Sequence, residues 1–432
     1  MKMRRKTASP ARPAMDRLLG SRVWEGSRGL FWALRFAVTA MVLGALVLSI
    51  ATRPALAQTG NRQLDLMRLY QTDLRALAMG NAYGPIARGE GALLYNPAGL
   101  AQFKFDLKID GGLAVEGEAG DFFTDTYDLI DSATSSEISS YLSKYLGTTQ
   151  NYRTQTYVNG VANLGLFNFG FGGGVIDQTR YNFEFRDVNN DGVSDTTDLY
   201  VQGTTVLEMT IVGIAFALFD GQMLMGVNYK DFTYKEEIGS ATFGALASSG
   251  SIELDTTGST YEGSGFDVGI LWRMETFPAL RGQYSFTAYN IGGITLTPTV
   301  GAGETLEVPA TYNFGVAFNP EFAFLHVLFS AEMEDITDAA KVRDADGNDY
   351  GRTQKQRLHA GLEVGLFETA TGNNVLNARV GLHRGFLSWG AELNLFSGMR
   401  LLYTKYQDNW GSVNAQELHD VVAIQLSIGL AF

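Results

Sequence analysis

An acidic stretch near the middle of the chain, RDVNNDGVSDTTD, has the residue spacing of a calcium-binding loop. Oxygen ligands fall at alternate positions with Gly192 at the sharp turn: Asp187, Asn189, Asp191, the carbonyl of Val193, Asp195 and Asp198. Such a set can wrap one hard cation. Aspartate replaces the usual final glutamate and no helical pattern flanks the loop, so a solvated hairpin tip is the alternative. The spacing predicts weak calcium binding at 187–198, with no other cofactor required.

Residues for catalysis are sparse in this chain. The four histidines are His326, His359, His383 and His419, and neither His-Glu-x-x-His nor Gly-x-Ser-x-Gly occurs. Cysteine is absent, which excludes a thiolate nucleophile and a cysteine metal site. A lipase would need a Ser–His pair close to a lipid boundary, and the histidines do not fall there. We therefore expect the protein not to be an enzyme.

Polar residues recur at every second position in three C-terminal segments, and their spacing predicts how two strands pair. Strands 355–367 and 375–384 are expected to form a hairpin around the turn 369–373. If Gly365 faces Asn377 in this hairpin, the two residue numbers of every facing pair sum to 742. Five polar residues then share one face: His359, Glu363, Arg379, His383 and Glu392. Arg379 would lie between two carboxylates and the histidines would face each other. We interpret this face as a structural charge ladder, with a ligand or metal site as the alternative.

The elements that carry these residues are β-strands with one apolar face. The last stretch, VVAIQLSIGLAF, alternates strictly, with Ile424, Ile428 and Phe432 on its apolar face. Charges on the opposite face suit a wet lumen better than the dry core of a secreted β-sandwich. Fourteen candidate strands follow residue 103: 104–116, 152–164, 167–185, 200–219, 222–238, 263–274, 281–297, 309–318, 321–335, 355–367, 375–384, 386–396, 399–409 and 419–432. Long and short connections alternate between them, which predicts an all-β, 14-stranded antiparallel transmembrane β-barrel.

The N-terminal region has the layout of an export signal. Basic residues precede an apolar run of sixteen at 36–51, and Ala55-Leu56-Ala57 follows as a small-residue cleavage site. The run is shorter than the about 20 residues of a spanning helix, so residues 1–57 are interpreted as a signal peptide rather than an anchor. The remaining 375 residues carry 23 basic and 44 acidic side chains, a net charge of −21. This charge argues against nucleic-acid binding.

Two segments lack the strand pattern. Residues 58–102 precede the barrel at 103–432, and residues 119–146 predict a short helical insertion after the first strand. The first segment contains RALAMGNAYGPIARGEGALLYNPAGLAQF, from Arg75 to Phe103. Asn96 can bond its own backbone in an Asx turn, Pro97 fixes φ, and Gly99 permits a tight turn. These residue types account for a turn-rich segment.

This stretch resembles the opening of the FadL-type superfamily of outer-membrane proteins, which includes fatty-acid and aromatic-hydrocarbon transporters. The resemblance implies that 58–102 is a hatch inside the barrel and that its motif, Asn96, Pro97, Ala98 and Gly99, folds or gates it. It also implies passive uptake of a hydrophobic small molecule across the outer membrane. Segment 263–273, Asn290-Ile291-Gly292 and Val308-Pro309 look more like a PorV-like branch, whose members handle secreted proteins. The expected partners are outer-membrane lipid, a hydrophobic ligand and the barrel-assembly machinery, the last through the strand ending at Phe432.

Overall fold

The structure is a computed structural model of the chain. It describes residues 73–102, 105–116, 125, 135–164, 169–190, 192–193, 195–244, 255–274, 278–301, 305–320, 322, 325–340, 342–343, 349–350, 353–368, 374–396, 398–409 and 418–431. The predicted signal peptide at 1–57 with its cleavage site, the first part of the predicted hatch, Asp191 and Phe432 lie outside these residues.

Fourteen strands form one closed antiparallel barrel, as the sequence pattern predicts. The barrel strands are β1 (Phe105–Glu116), β2 (Thr149–Asn163), β3 (Gly170–Arg186), β4 (Leu199–Leu218), β5 (Met223–Thr242), β6 (Asp255–Arg273), β7 (Gln283–Tyr289), β10 (Thr311–Phe318), β11 (His326–Met333), β14 (Leu358–Glu368), β15 (Asn374–His383), β16 (Phe386–Phe396), β17 (Met399–Asn409) and β18 (Leu418–Ala431). Each strand pairs with its neighbours along the chain, and the pairing of β1 with β18 closes the ring.

Four short strands lie outside the ring of fourteen. They are β8 (Ile294–Val300), β9 (Leu306–Val308), β12 (Val342–Arg343) and β13 (Asp349–Tyr350). The prediction of a single strand over 281–297 is therefore wrong. The chain leaves β7 in a turn where Asn290, Gly292 and Gly293 all have positive φ, and β8 then pairs with the upper part of β6 and with β9. Left-handed backbone ends a regular strand.

The two ends of the barrel carry different connections. The long-loop end has the β1–β2, β3–β4, β5–β6, β7–β10 and β11–β14 connections, and the short-turn end has the connections between them. The β1–β2 connection contains α3 (Ser135–Tyr145). It lies within the predicted helical stretch 119–146, of which residues 119–124 and 126–134 lie outside the described part. The β11–β14 connection ends in α4 (Gln354–Arg357). Arg384-Gly385, at the long-loop end, is a two-residue turn with φ of 53° and 88°, as tight hairpins need.

The outer surface of the barrel is apolar. Ile109, Leu113, Ile424 and Ile428 are 47–56% exposed, and they alternate with buried inward residues on β1 and β18. Among the described residues, no helix has the length and apolar character needed to cross a bilayer. A closed barrel with such an outer surface is the architecture of outer-membrane proteins.

Residues 73–102 fold inside the barrel as a compact hatch. It consists of α1 (Leu74–Ala78), a 3-10 turn (Gly84–Ile86), α2 (Glu90–Tyr95) and a second 3-10 segment (Pro97–Gln102). The Asp73 side chain caps α1 by accepting the backbone N–H groups of Arg75 and Ala76 at 2.7 and 3.1 Å. Almost every hatch residue is buried, so the hatch is the inner core on which the barrel closes.

Candidate functional site: the hatch and the lumen around it

The hatch lies directly against glycines of the barrel wall. A Cβ on Gly381 would lie 2.0 Å from the Gly80 nitrogen, and one on Gly226 would lie 2.4 Å from the Pro97 carbonyl carbon. Hatch atoms would also lie within 3.0 Å of a Cβ on six further wall glycines: Gly170, Gly213, Gly269, Gly315, Gly361 and Gly390. Because the hatch backbone meets the wall backbone at several of these points, the wall positions tolerate no side chain. These eight glycines lie on eight different strands, so the hatch contacts the wall around much of the barrel.

The Asn-Pro-Ala-Gly motif forms one of these seats. The Asn96 side chain accepts the Ala98 N–H at 3.1 Å in the predicted Asx turn, and its amide donates to the Ile270 carbonyl on β6 at 3.3 Å. Pro97 then begins the second 3-10 segment. Close packing, rather than the predicted tight turn, explains the glycine at position 99. A Cβ on Gly99 would lie 2.1 Å from the Ala87 carbonyl oxygen. The motif joins two parts of the hatch to each other and to the wall.

The predicted charge ladder is present and includes a hatch residue. Paired residues of β14 and β15 sum to 742, with Glu363 opposite Arg379. The Arg379 guanidinium lies 2.6 Å from Glu363 and 2.5 Å from Glu392. Arg75 of the hatch binds the same Glu363 with both ends of its guanidinium, at 2.9 Å each. The sequence pattern predicted that water would surround this ladder, but the hatch covers it. These side chains are at most 13% exposed.

The histidine pair also points at the hatch. The His359 and His383 rings lie 5.2 Å apart. His359 Nδ1 lies 2.7 Å and His383 Nδ1 lies 3.4 Å from the Gly80 carbonyl oxygen, and His359 Nε2 lies 3.0 Å from Glu334. Within the described residues no group of three or more histidine and acidic side chains could hold a metal ion. These contacts fit a polar anchor for the turn at Gly80.

A second ionic cluster ties the hatch to the neighbouring part of the wall, at β1 and β17. Glu90 accepts Lys108 of β1 at 2.5 Å and Arg400 of β17 at 3.0 Å, and Lys108 also binds Asp106 at 2.9 Å. Sequence reasoning did not single out these residues. Lys108 and Arg400 lie on the inward-facing sets of their strands, and this placement could have indicated them.

A cluster of apolar side chains lies in the lumen on the long-loop side of the hatch. Six buried side chains from five neighbouring strands converge there: Tyr157, Ile176, Leu207, Met209, Tyr234 and Tyr261. The β8–β9 hairpin adds Ile294, Leu296 and Val308, and the hatch adds Tyr83, Leu94 and Tyr95. Ile294 packs over Gly265, where a Cβ would lie 2.5 Å from its side chain. We call these residues the apolar lumen cluster.

A cavity of about 900 Å³ lies beside the hatch at the short-turn end of the barrel. Its rim includes Gly221, Pro278 and Asn319 from three connections at that end, and its inner wall includes Ile86 and Arg88 of the hatch. The cavity and the apolar lumen cluster lie on different sides of the hatch. A molecule moving along the barrel would meet both.

The predicted calcium loop forms the tip between β3 and β4. Asp187 accepts the backbone N–H groups of Asn190 and Gly192 at 2.6 and 2.7 Å, and buried Asp198 accepts those of Val188 and Asp195. Hydrogen bonds from Thr197 hold the pKa of the Asp195 carboxyl below its usual range, so this carboxylate is ionised at neutral pH. Asn189 donates to Asp195 at 2.8 Å. The loop is folded by its own acidic side chains, and Asp191 lies outside the described residues.

The residues of the PorV-like resemblance meet in one buried network at the end of β7. Lys230 Nζ lies 2.9 Å from Asp267 and donates to the Asn290 side chain at 2.8 Å. The Asn290 backbone donates to Asp267 at 2.9 Å, and its amide donates to the Pro309 carbonyl at 3.5 Å. This network fixes the point where the chain leaves the wall to form the β8–β9 hairpin.

The similarities of this chain to known proteins lie among solved structures. No family model matches the chain, and no curated protein matches it. Similar solved structures include a mutant of the TodX monoaromatic hydrocarbon channel, with 13% identity and a TM-score of 0.48 over 83% of this chain and 98% of that one. The Pseudomonas putida toluene transporter TodX has 12% identity and a TM-score of 0.47, over 83% and 97%.

A Pseudomonas aeruginosa FadL homologue is also similar, with 12% identity and a TM-score of 0.44 over 87% of this chain and all of that one. The barrel itself is defined by the strand pairing of this chain.

Proposed function

We propose that this protein is an outer-membrane barrel for the passive uptake of hydrophobic small molecules such as fatty acids or hydrocarbons. In this proposal the chain reaches the membrane after cleavage of a signal peptide near Ala57. Ligand enters from the long-loop end, is held in the apolar lumen cluster and passes the hatch towards the short-turn end. The proposal involves no catalysis.

The observation that supports it is the apolar lumen cluster. Its tyrosine and aliphatic side chains pack against one another, and the same apolar surfaces would favour contact with a hydrophobic ligand. Concave, mostly apolar sites with a few polar groups are typical of small-molecule binding. Here the tyrosine hydroxyls supply the polar groups: Tyr157 donates to the Glu90 carbonyl at 3.3 Å.

The alternative is a PorV-like protein that binds or shuttles secreted proteins. The residues that suggest this alternative are Asp267, Asn290 and Pro309, and their buried network with Lys230 accounts for them without a partner. A protein-handling role would instead be supported by a secreted protein that co-purifies with the barrel in mild detergent. Mass spectrometry of both bound lipids and bound proteins separates the two functions.

The direct test is uptake of a fluorescent dodecanoic acid by cells that express the chain. Replacing Ile176 with Asn puts an amide into the apolar lumen cluster, where Ile176 is fully buried. We expect Ile176→Asn to reduce the uptake rate several-fold, because an unpaired amide disfavours an apolar ligand by about 1–3 kcal/mol. Ile176→Val is the matched control and should retain uptake. Equal uptake by cells with and without the wild-type chain would overturn the proposal.

A further inference from the structure

The cavity at the short-turn end has a charge that its surroundings do not predict. Its lining includes four arginines and a histidine, namely Arg75, Arg88, Arg273, Arg281 and His326. Asp220 is the one acidic residue among the described lining residues. A chain with an excess of acidic residues therefore concentrates cations at one internal surface.

Two of these arginines have no acidic partner. Arg75 is held by Glu363 of the ladder. Arg88 and Arg273 form no ion pair with any residue that the structure describes, and both are exposed. Arg88 is exposed although its neighbours Ala87 and Gly89 are buried, because its side chain faces the open cavity. Arg273 continues the inward-facing set of β6 after Gly269 and Leu271.

The cavity also offers a donor and an apolar surface. The Gln102 amide nitrogen is buried and makes no hydrogen bond in the part of the chain that the structure describes. Gln102 lines the same cavity, together with Ile86, Met274 and Leu328. Guanidinium and amide donors match an oxyanion, and the apolar residues match a hydrocarbon chain.

We propose that this cavity is a binding site for an anionic amphiphile, that is, a carboxylate or phosphate attached to an acyl chain. Arg88 and Arg273 bind the oxyanion, Gln102 donates a further hydrogen bond, and Ile86, Met274 and Leu328 contact the chain. The volume of about 900 Å³ is at the upper end of the about 300–1,000 Å³ typical of ligand pockets. The site goes beyond the proposed function, since binding here does not require transport.

The test is a titration of purified full-length barrel in maltoside detergent with octanoate, octyl phosphate and octanol, followed by calorimetry. We expect both anions to bind and octanol to bind more weakly. The variant Arg88→Gln/Arg273→Gln should bind the anions about tenfold more weakly or worse, because two charged donors are lost. Arg88→Lys/Arg273→Lys keeps both charges and should recover most of the affinity.

The matched control is Arg186→Gln/Lys355→Gln, which removes two charges at the long-loop end and should bind as the wild type does. All variants must keep the folded band of the unheated barrel on a gel. Octanol binding as tight as octanoate, or unchanged anion binding in Arg88→Gln/Arg273→Gln, would overturn the site. The affinities of the cavity for octanoate and octyl phosphate do not depend on uptake of dodecanoic acid. The uptake proposal and the cavity proposal can therefore fail independently of each other.

Lipid analysis distinguishes the sources of the amphiphile. Phospholipid that co-purifies with the wild type and is lost from Arg88→Gln/Arg273→Gln would assign the oxyanion to a membrane lipid headgroup. Anion binding without retained phospholipid would assign it to a free fatty acid or a similar soluble amphiphile. Competition by inorganic phosphate alone would show that the headgroup is recognised without its chain.

Discussion

At the scale of single residues, the ladder through Arg379 explains why charged side chains occur in a lipid-embedded protein. An arginine costs ~2–4 kcal/mol on the lipid face at the middle of the bilayer. Arg379 points inward, where Glu363 and Glu392 neutralise it. Glu363 is in turn shared with Arg75, so the ladder joins two wall strands and the hatch. Removing Arg379 would leave Glu363 with Arg75 alone and would remove the ion pair of buried Glu392.

We predict that Arg379→Leu lowers the temperature at which the folded band is lost and leaves strand content unchanged. Buried Glu392 would lose its ion pair and Glu363 would keep Arg75 alone, and breaking a buried pair costs about 3–5 kcal/mol. The measurement is a heating series on a gel, with circular dichroism of the unheated sample. Lys405→Gln is the control, since its pair with Asp420 is 40% and 48% exposed and contributes about 0–1 kcal/mol. Equal midpoints for the two variants would contradict the ladder.

At the scale of elements, the contact between hatch and wall depends on glycines rather than on large apolar side chains. Gly381 of β15 and Gly80 of the hatch approach so closely that neither accommodates a Cβ. Close-packed interiors transmit such a clash because the backbone has little room to move. The hatch is therefore positioned by shape at its glycine contacts and by charge at Glu90 and Glu363.

Gly381→Ala should displace the hatch and allow trypsin to cleave the hatch backbone after Arg75 and Arg88. Overpacking of this kind costs about 1–3 kcal/mol, and the clash is with backbone atoms that no rotamer change relieves. Mass spectrometry of the peptides released from the folded barrel measures the cleavage. Gly111→Ala is the matched control, because a Cβ at Gly111 meets no atom within 4 Å. Identical trypsin patterns for both variants would show that the hatch tolerates displacement.

The acidic loop between β3 and β4 gives a second prediction at this scale. We propose that Asp187, Asp191 and Asp195 share one calcium ion, and we expect millimolar calcium to slow proteinase K cleavage within 186–199. Asp191→Ala should abolish this protection, whereas Asp346→Ala, in a different acidic segment of the sequence, should retain it. Cleavage rates that are equal in calcium and in chelator would assign the loop to a hairpin tip held by its own hydrogen bonds.

At the scale of the whole molecule, closure of the fourteen strands leaves no free edge in the ring. The pairing of β1 with β18 and of β5 with β6 completes the hydrogen-bond ladder around the barrel. In hydrocarbon an unpaired backbone group is costly, so closure makes the folded state resistant to partial unfolding. The hatch adds an internal core to this ring.

We predict that the purified mature protein is heat-modifiable in detergent. Unheated and boiled samples should migrate differently on a gel, because the closed ladder survives until boiling. Circular dichroism of the unheated sample should show mainly β-structure. Identical migration combined with a mainly helical spectrum would be incompatible with the barrel.

The sequence by itself determined the strands, their number and one detailed register. Side chains alternate with a period of two, so a lipid-facing set and an inward-facing set are visible in each strand. Short turns such as Arg384-Gly385 then fix which strands are neighbours. The sum of 742 for β14 and β15 combines this alternation with the assumed pair Gly365 and Asn377. The turn at Asn290 was missed although Asn290, Gly292 and Gly293 are turn residues, because the apolar alternation resumes at Ile294 and Leu296 and suggests one continuous strand.

Only the tertiary structure decided what the inward-facing residues contact. Arg75 and Glu363 are 288 residues apart along the chain, and no periodicity connects them. The wall glycines carry no side chain that could indicate the hatch beside them. The apolar lumen cluster and the arginine-lined cavity are likewise assembled from strands, turns and hatch that meet only when the barrel closes. Local patterns specify which way a side chain points, whereas its partner across a closed lumen depends on every strand between them.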